Sequence, residues 1–322
     1  MTKYHRSCHK QPVSTGWLKV MASLLILCPV LAWAIDIEDI HIRDPFILPV
    51  DGVYYLYRSS TQDGIGGVEV FRSRDLKHWD GPKRVLSLPE DNWATGGIWA
   101  PEVHAYNGKY YLFATCNTDV AWRRNPDGNE CTYRGTQIFW SDSPEGPFHP
   151  FGRLPHTPMD EMALDGTLWV EDGVPYMIYC HEWVQTTDGE MKYVRLADDL
   201  SKPEGQPVRL FNASAAEWST GPETFVTDGC FLYRTKAGKL LMLWSSFMNG
   251  EYAIGIATSV TGKLSGPWRQ ADKPLFSKDG GHGMVFRTFD GRLCLVIHSP
   301  NSVNERARIF ELEDTGDTLI LK

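Results

Sequence analysis

From about Ile40 onward the chain runs in short stretches of alternating apolar and polar positions that break at glycine, and one arrangement recurs. An extended apolar run leads into a turn with glycine and then into a second run rich in β-branched and aromatic residues. The copies read DPFILPVDGVYYLYRSS from Asp44, APEVHAYNGKYYLFATC from Ala100, DGTLWVEDGVPYMIYCHE from Asp165, DGCFLYRTKAGKLLMLWSS from Asp228 and GHGMVFRTFDGRLCLVIHSP from Gly281. This pattern predicts five β-hairpins. Their starts lie 56, 65, 63 and 53 residues apart, and most are followed by a further strand pair, as in GVEVFRSRDLKHW, GTQIFWSDSPEGPF and YAIGIATSVTGKLSGPW. A repeat of about four strands is a propeller blade, so five repeats predict an all-β, five-bladed β-propeller. Helical periodicity is scarce, which disfavours an α/β fold.

Propeller geometry turns sequence into location. The first strand of each blade lines the axis, and the starts of those strands share one face with the loops between second and third strands and with the connections between blades. Three of the five first strands begin with aspartate: Asp44, Asp165 and Asp228. Carboxylates that converge on one pocket are costly to bury and raise one another's pKa values, which points to acid–base chemistry. A single Asp before Gly, as at Asp165-Gly166 or Asp228-Gly229, reads equally as a turn residue. Three together favour function.

The stretches HIRDPFIL, IWAPEVHAYNGKYYLFAT, LDGTLWVEDGVPYMIY and GGHGMVFRTFDGRLCLVIH resemble the blade motifs of glycoside hydrolase family 43 and its clan relatives, the five-bladed arabinofuranosidases, arabinanases and xylosidases. The resemblance spans the chain from about Ile40 to its end. It implies an inverting glycosidase in which Asp44 is the general base, Asp165 raises and orients the acid, and the fourth blade supplies the acid. Inversion needs two carboxylates about 6.5–9.5 Å apart, one to deprotonate water and one to protonate the leaving oxygen. Here the chain departs from the family, which usually carries Glu-Gly-Pro where this sequence has Asp228-Gly229-Cys230; a glutamate stands instead at Glu223, after Gly221-Pro222. Asp44 and Asp165 lie eight residues before their turn glycines, Gly52 and Gly173, whereas Asp228 lies ten before Gly238 and Glu223 fifteen. Fifteen is too long for one inner strand of usual length. Asp228 is therefore the expected acid, on a side chain shorter by about 1.5 Å. Glu223 stays the alternative, as a loop carboxylate able to reach inward, with Glu217 more distant.

Loops on the predicted active face carry sugar-binding chemistry, since aromatic faces stack on sugar C–H faces and charged groups bond hydroxyls. Trp93 and Trp99 precede the second blade, Trp122, Arg123 and Arg124 occupy its long loop, and CHEWVQ places His181, Glu182 and Trp183 at the end of the third blade's second strand. The expected substrate contacts are Trp99, His181, Glu182, Trp183 and Arg287, while Trp140, Trp169 and Trp244 read as core. In relatives a histidine at the position of His282 often holds a calcium ion or a water in the central channel. The resemblance thus implies a structural calcium at His282, with no cofactor required for chemistry; the other reading is a hydrogen-bonded core histidine.

Composition narrows the setting. The 322 residues are 42% hydrophobic with a net charge of −8, spread without long runs, so a core is affordable and no nucleic-acid footprint is visible. Lys3, Arg6, Lys10 and Lys19 precede the apolar run VMASLLILCPVLAWA, which ends in Ala32-Trp33-Ala34. That is the form of a secretory signal over residues 1–34; fifteen residues interrupted by Pro29 fall short of the roughly 20 that a membrane span needs. The expectation is a secreted or periplasmic monomer, residues 35–322, free of the membrane after cleavage and acting on carbohydrate. Five cysteines would remain, and Cys116 and Cys131 bracket a polar loop that a disulfide could close, although two free thiols fit equally. Two rival functions differ in their carboxylates. A non-catalytic sugar-binding propeller would not need Asp44 with Asp165, and a retaining fructosyl hydrolase or transferase of the related clan has a Glu-Cys acid that the fourth blade here lacks. Arabinofuranosyl, xylosyl and galactosyl or galactofuranosyl substrates all suit the scaffold, and long interblade loops such as residues 212–226 predict exo action.

Overall fold

The computed structural model describes residues 34–221 and 223–322; the expected signal segment, apart from Ala34, lies outside the described residues. Local turn chemistry sets the blades. Asp51-Gly52, Asn107-Gly108 and Asp172-Gly173 have φ of 49° and 79°, 46° and 78°, and 52° and 82°. Two successive left-handed residues make the two-residue turn whose twist matches paired strands, and Asn or Asp followed by Gly adopts it at least cost.

Blade 1 consists of Phe46–Val50, Val53–Gln62, Ile65–Ser73 and His78–Ser87, with the short strand Ile35–Asp36 added at its outer edge. Blade 2 is Ile98–Tyr106, Lys109–Arg124, Glu130–Ser141 and His149–Pro150; blade 3 is Ala163–Glu171, Val174–His181, Glu190–Leu196 and Pro203–Asn212. Blade 4 is Asp228–Arg234, Leu240–Met248, Glu251–Ser259 and Trp268–Gln270, and blade 5 is Gly281–Arg287, Leu293–Ser299, Arg306–Asp314 and Leu319–Leu321. Within each blade the four strands pair antiparallel and in sequence, and each inner strand contacts the next, the fifth touching the first. The fold is the expected all-β five-bladed propeller. His41 bridges Arg306 and the Ile42 N–H donates to Glu305 O (3.3 Å), so the segment leading into the first inner strand ties blade 1 to blade 5.

The core lies between blades. Trp244 is fully buried against Trp218 (centroids 4.9 Å apart) and Phe211, while Trp140 and Trp169 are half-buried under Lys109 and Arg234, at 4.5 and 5.5 Å. In blade 2 the expected loop is instead a long hairpin, because Lys109–Arg124 pairs with Glu130–Ser141 almost to its tip and takes Trp122, Arg123 and Arg124 into strand. Cys116 stands opposite Gly135 and Cys131 opposite Arg123, so the two thiols occupy different levels of that hairpin. They are free and buried, as are Cys180, Cys230 and Cys294. The disulfide is excluded by register.

One backbone device recurs at the start of every inner strand. Asp44, Ala100, Asp165, Gly229 and His282 have φ of 50°, 43°, 56°, 54° and 49°, and in blades 2 to 5 the residue sits in a β-bulge. These five are structural counterparts. Blades 4 and 5 close their first hairpins with a longer turn (Thr235 N–H to Lys239 O and Thr288 N–H to Arg292 O, both 2.9 Å), which displaces the turn glycine. Counting back to that glycine therefore misaligned blade 4. The counterpart of Asp44 and Asp165 is Gly229, and Asp228 lies one residue ahead of it, so the three aspartates are not in a single register.

Candidate active site

The left-handed residues and their predecessors start the five inner strands, as Arg43-Asp44, Trp99-Ala100, Leu164-Asp165, Asp228-Gly229 and Gly281-His282, and at least one of each pair lines a single cavity. A left-handed L-residue costs about 1–2 kcal/mol, and such strain gathers at functional sites. The device turns Asp44, Asp165 and His282 inward. Asp228, one residue before the left-handed position, lines the same cavity of about 280 Å³, together with Ser59, Glu182, Trp183 and Tyr252. Gly229 serves close approach, because a Cβ there would stand 2.7 Å from His282 Cγ and 2.9 Å from its Cα.

His282 is the hub. Its N–H donates to Ser245 Oγ (2.7 Å), and its Nδ1 lies 3.1 Å from Asp44 Oδ1 and 3.7 Å from Asp165 Oδ2. Burial disfavours the imidazolium, but Asp44, Asp165, Asp228 and Glu102 outweigh it and raise the His282 pKa. Burial also opposes ionisation of Asp44, yet His282, His298 and Arg43 hold that carboxyl well below the usual range. All contacts of the Asp44 carboxylate fall on Oδ1, including His298 Nδ1 at 3.2 Å and Arg43 Nε at 3.9 Å. Among the described residues, Oδ2 has no partner.

Asp165 differs in both respects. Its Oδ2 accepts the Gly229 N–H (3.0 Å) and its Oδ1 faces Thr115 Oγ1 (3.5 Å), so both oxygens are engaged. Burial, with the charges of Asp228 and Asp44, pushes its pKa up to about 7 against the pull of His282. Asp228 is raised as well, by burial first and then by Asp44, while His282, Arg43 and the Tyr252 hydroxyl oppose the shift. The Tyr252 O–H donates to Asp228 Oδ2 (3.0 Å), which leaves Oδ1 without a partner among the described residues. Burial and neighbouring negative charge thus push both carboxyls up, and the two titrate as a pair.

The sequence of residues 37–317 matches glycosyl hydrolases family 43. The chain belongs to that family. It is 40% identical to a solved endo-arabinase from Bacteroides thetaiotaomicron VPI-5482, with a TM-score of 0.78 over 87% of this chain and 97% of that one. A solved endo-1,4-beta-xylanase from the same organism is 25% identical at a TM-score of 0.71, over 88% and 95% of the two chains. A xylosidase/arabinosidase of Butyrivibrio fibrisolvens is 27% identical over 67% of this chain and 39% of its own length. The chain spans less than half the length of the first sequence relatives that it matches. The relatives that it matches are named as glycosidases.

Around this family 43 site, the other expected residues divide. Trp99, Glu182 and Trp183 line the cavity. Arg134 lies 4.3 Å over the Trp99 ring and pairs with Glu182 Oε2, yet burial keeps the Glu182 pKa raised. Trp183 begins the single helical turn Trp183–Thr186 and separates this cavity from one of about 520 Å³ that has no titratable residue in its lining. His181 does not line the cavity: its ring nitrogens face Glu190 Oε2 (3.1 Å) and Gln185 Oε1 (3.0 Å), bracing that turn. Arg287 is also corrected. It ends the fifth inner strand, at the far end from His282, and donates to Gly291 O (3.2 Å) in the hairpin turn. Glu223 is exposed in the interblade loop and is absent from the cavity lining.

Tyr252, Arg43 and Arg134 were missed as site residues. Arg43 was legible as the predecessor of Asp44, but Tyr252 and Arg134 arrive from third strands by cross-strand register, which carries no motif. A calcium ion at His282 does not fit the donor set. The imidazole turns its Nδ1 on Asp44 Oδ1, and among the described residues no three His, Cys, Asp or Glu side chains gather in a metal-holding group.

Proposed function

We propose that this family 43 enzyme is a secreted or periplasmic, monomeric, inverting exo-glycosidase that removes α-L-arabinofuranosyl or β-D-xylosyl residues from polysaccharide side chains or oligosaccharides, with galactosyl and galactofuranosyl groups as further candidates. One observation carries the assignment of roles. Asp44 and Asp228 each keep one unpartnered carboxylate oxygen at the cavity, whereas both oxygens of Asp165 are bound. Asp44, held ionised by His282, accepts a proton from water through Oδ2. Asp228, kept protonated by burial and by neighbouring negative charge, gives its proton to the departing glycosidic oxygen. Asp44 supplies part of that charge, and Asp165, which does not touch the reacting atoms, adds to it. Inversion uses both roles in one displacement, and no covalent sugar–enzyme bond forms.

An arabinofuranosyl or xylosyl ring suits the small cavity, where Trp99 and Trp183 offer faces for stacking and Glu182 Oε1 can accept a sugar hydroxyl. The endo name of the 40% identical structure supports a second reading, endo-arabinanase action. A rapid fall in the viscosity of linear arabinan before monosaccharide appears would favour it over exo action.

The acid assignment is tested by leaving-group dependence. Asp228→Asn should lower kcat/KM on a natural glycoside by about 10²–10⁴-fold, yet retain most activity on an aryl glycoside with a good leaving group. Glu223→Gln should leave both intact. The opposite pattern would move the acid to Glu223.

A further inference from the structure

We infer that Tyr252 and His298, stacked face to face, are positioning residues that hold the acid and the base in one rigid frame. Neither is in the inner strands. Tyr252 lies in the third strand of blade 4 and His298 in the second strand of blade 5, and their rings stack across the blade boundary with centroids 5.4 Å apart and planes 15° apart. Both rings are buried, Tyr252 at 1% exposure and His298 at 0%.

One ring holds the acid's carboxylate and the other holds the base's backbone. The Tyr252 hydroxyl donates to Asp228 Oδ2 (3.0 Å), and the Asp44 N–H donates to His298 Nδ1 (3.2 Å), with Asp44 Oδ1 at the same distance from that nitrogen. The far sides of the rings are fixed in turn. His298 Nε2 faces Asn301 Oδ1 (3.1 Å), the Asn301 N–H donates to Asp279 Oδ2 (3.2 Å), and Phe247 packs against Tyr252 at 5.2 Å from cross-strand register. Two aromatic planes in contact cannot slide without leaving this hydrogen-bonded frame. The stack therefore fixes the separation of Asp44 and Asp228, on which in-line inversion depends.

The hydroxyl has a second effect. A donor on Oδ2 excludes a proton from that oxygen, so the acidic proton resides on Oδ1, the oxygen left without a partner among the described residues. In a chain whose acid is one carbon shorter than a glutamate, orientation of the remaining length matters more. The charged groups around Tyr252 and Asp228 are Asp44, Asp165, Arg43 and His282, with Glu182 across the cavity; all stay in place when only the hydroxyl is removed.

This inference rests on Asp228 as the acid, and the experiment separates the two. Tyr252→Phe is compared with Asp228→Asn and the double variant, using an aryl glycoside and a natural glycoside across pH. The hydroxyl favours ionised Asp228, so its loss should raise the alkaline limb of kcat/KM by about one pH unit and lower kcat on the natural glycoside about tenfold, with a much smaller loss on the aryl one. Adding Tyr252→Phe to Asp228→Asn should change nothing further. An unshifted limb with equal losses on both substrates would overturn the positioning role while leaving the acid intact. If Asp228→Asn itself lacks leaving-group dependence, the acid assignment fails instead. Should Tyr252→Phe fold poorly, His298→Asn tests the base side: kcat should fall with little change in KM, and unchanged kcat would overturn the frame.

Discussion

Replacing Asp165 by Asn removes one charge from the site while keeping its shape. Asn retains an oxygen for the Gly229 N–H, now received by Asp165 Oδ2 at 3.0 Å, and an amide for Thr115 Oγ1. Burial and the charges of Asp228 and Asp44 raise the Asp165 carboxyl to about 7, burial and Asp44 raise that of Asp228, and the repulsion between Asp165 and Asp228 acts in both directions. A neighbouring carboxylate at this range is worth about 1–3 pKa units. Removing it makes ionised Asp228 easier to form, so the acid pKa falls and the alkaline limb of kcat/KM moves down. If the shift is about one unit, activity at pH 8 drops about tenfold relative to wild type, while the loss at pH 5 is far smaller. The assay is kcat/KM on a natural glycoside from pH 4 to 9, with a thermal melt to show that the fold survives. A limb that stays put, or moves up, would refute the role of Asp165 as the source of the acid's raised pKa.

Two further outcomes are expected. Gly229→Ala should abolish most activity, because the new Cβ meets His282 at 2.7 Å in a left-handed backbone and displaces the imidazole from Asp44; wild-type rates would show that the approach is not needed. Dialysis against a chelator should leave both activity and melting temperature unchanged, and a loss restored by calcium would show that the channel holds a needed ion after all.

The fold was legible because its determinants are local. Two-residue turns such as Asp51-Gly52 and Asp172-Gly173 encode their own geometry, and the hairpins they close repeat at blade spacing. Asp44 and Asp165 were legible for the same reason, each lying a fixed distance from such a turn. Blade 4 was not, since the turn closed by Thr235 and Lys239 carries an extra residue and shifts the count, although it still selects Asp228 over Glu223. His181 was misassigned because its neighbours Glu182 and Trp183 do reach the cavity. Alternation on a strand sends His181 the other way, onto Glu190 and Gln185. Tyr252, His298 and Arg134 depend on register between strands and packing between blades, and a single sequence does not display either.

The proposed reaction is direct displacement by a water that Asp44 activates, with Asp228 protonating the leaving group. Proton NMR of the first sugar released, read before mutarotation, tests it in one spectrum. The expected product is the anomer opposite in configuration to the substrate, with no product above background from Asp44→Asn. Release of the retained anomer would contradict it and point to a covalent intermediate.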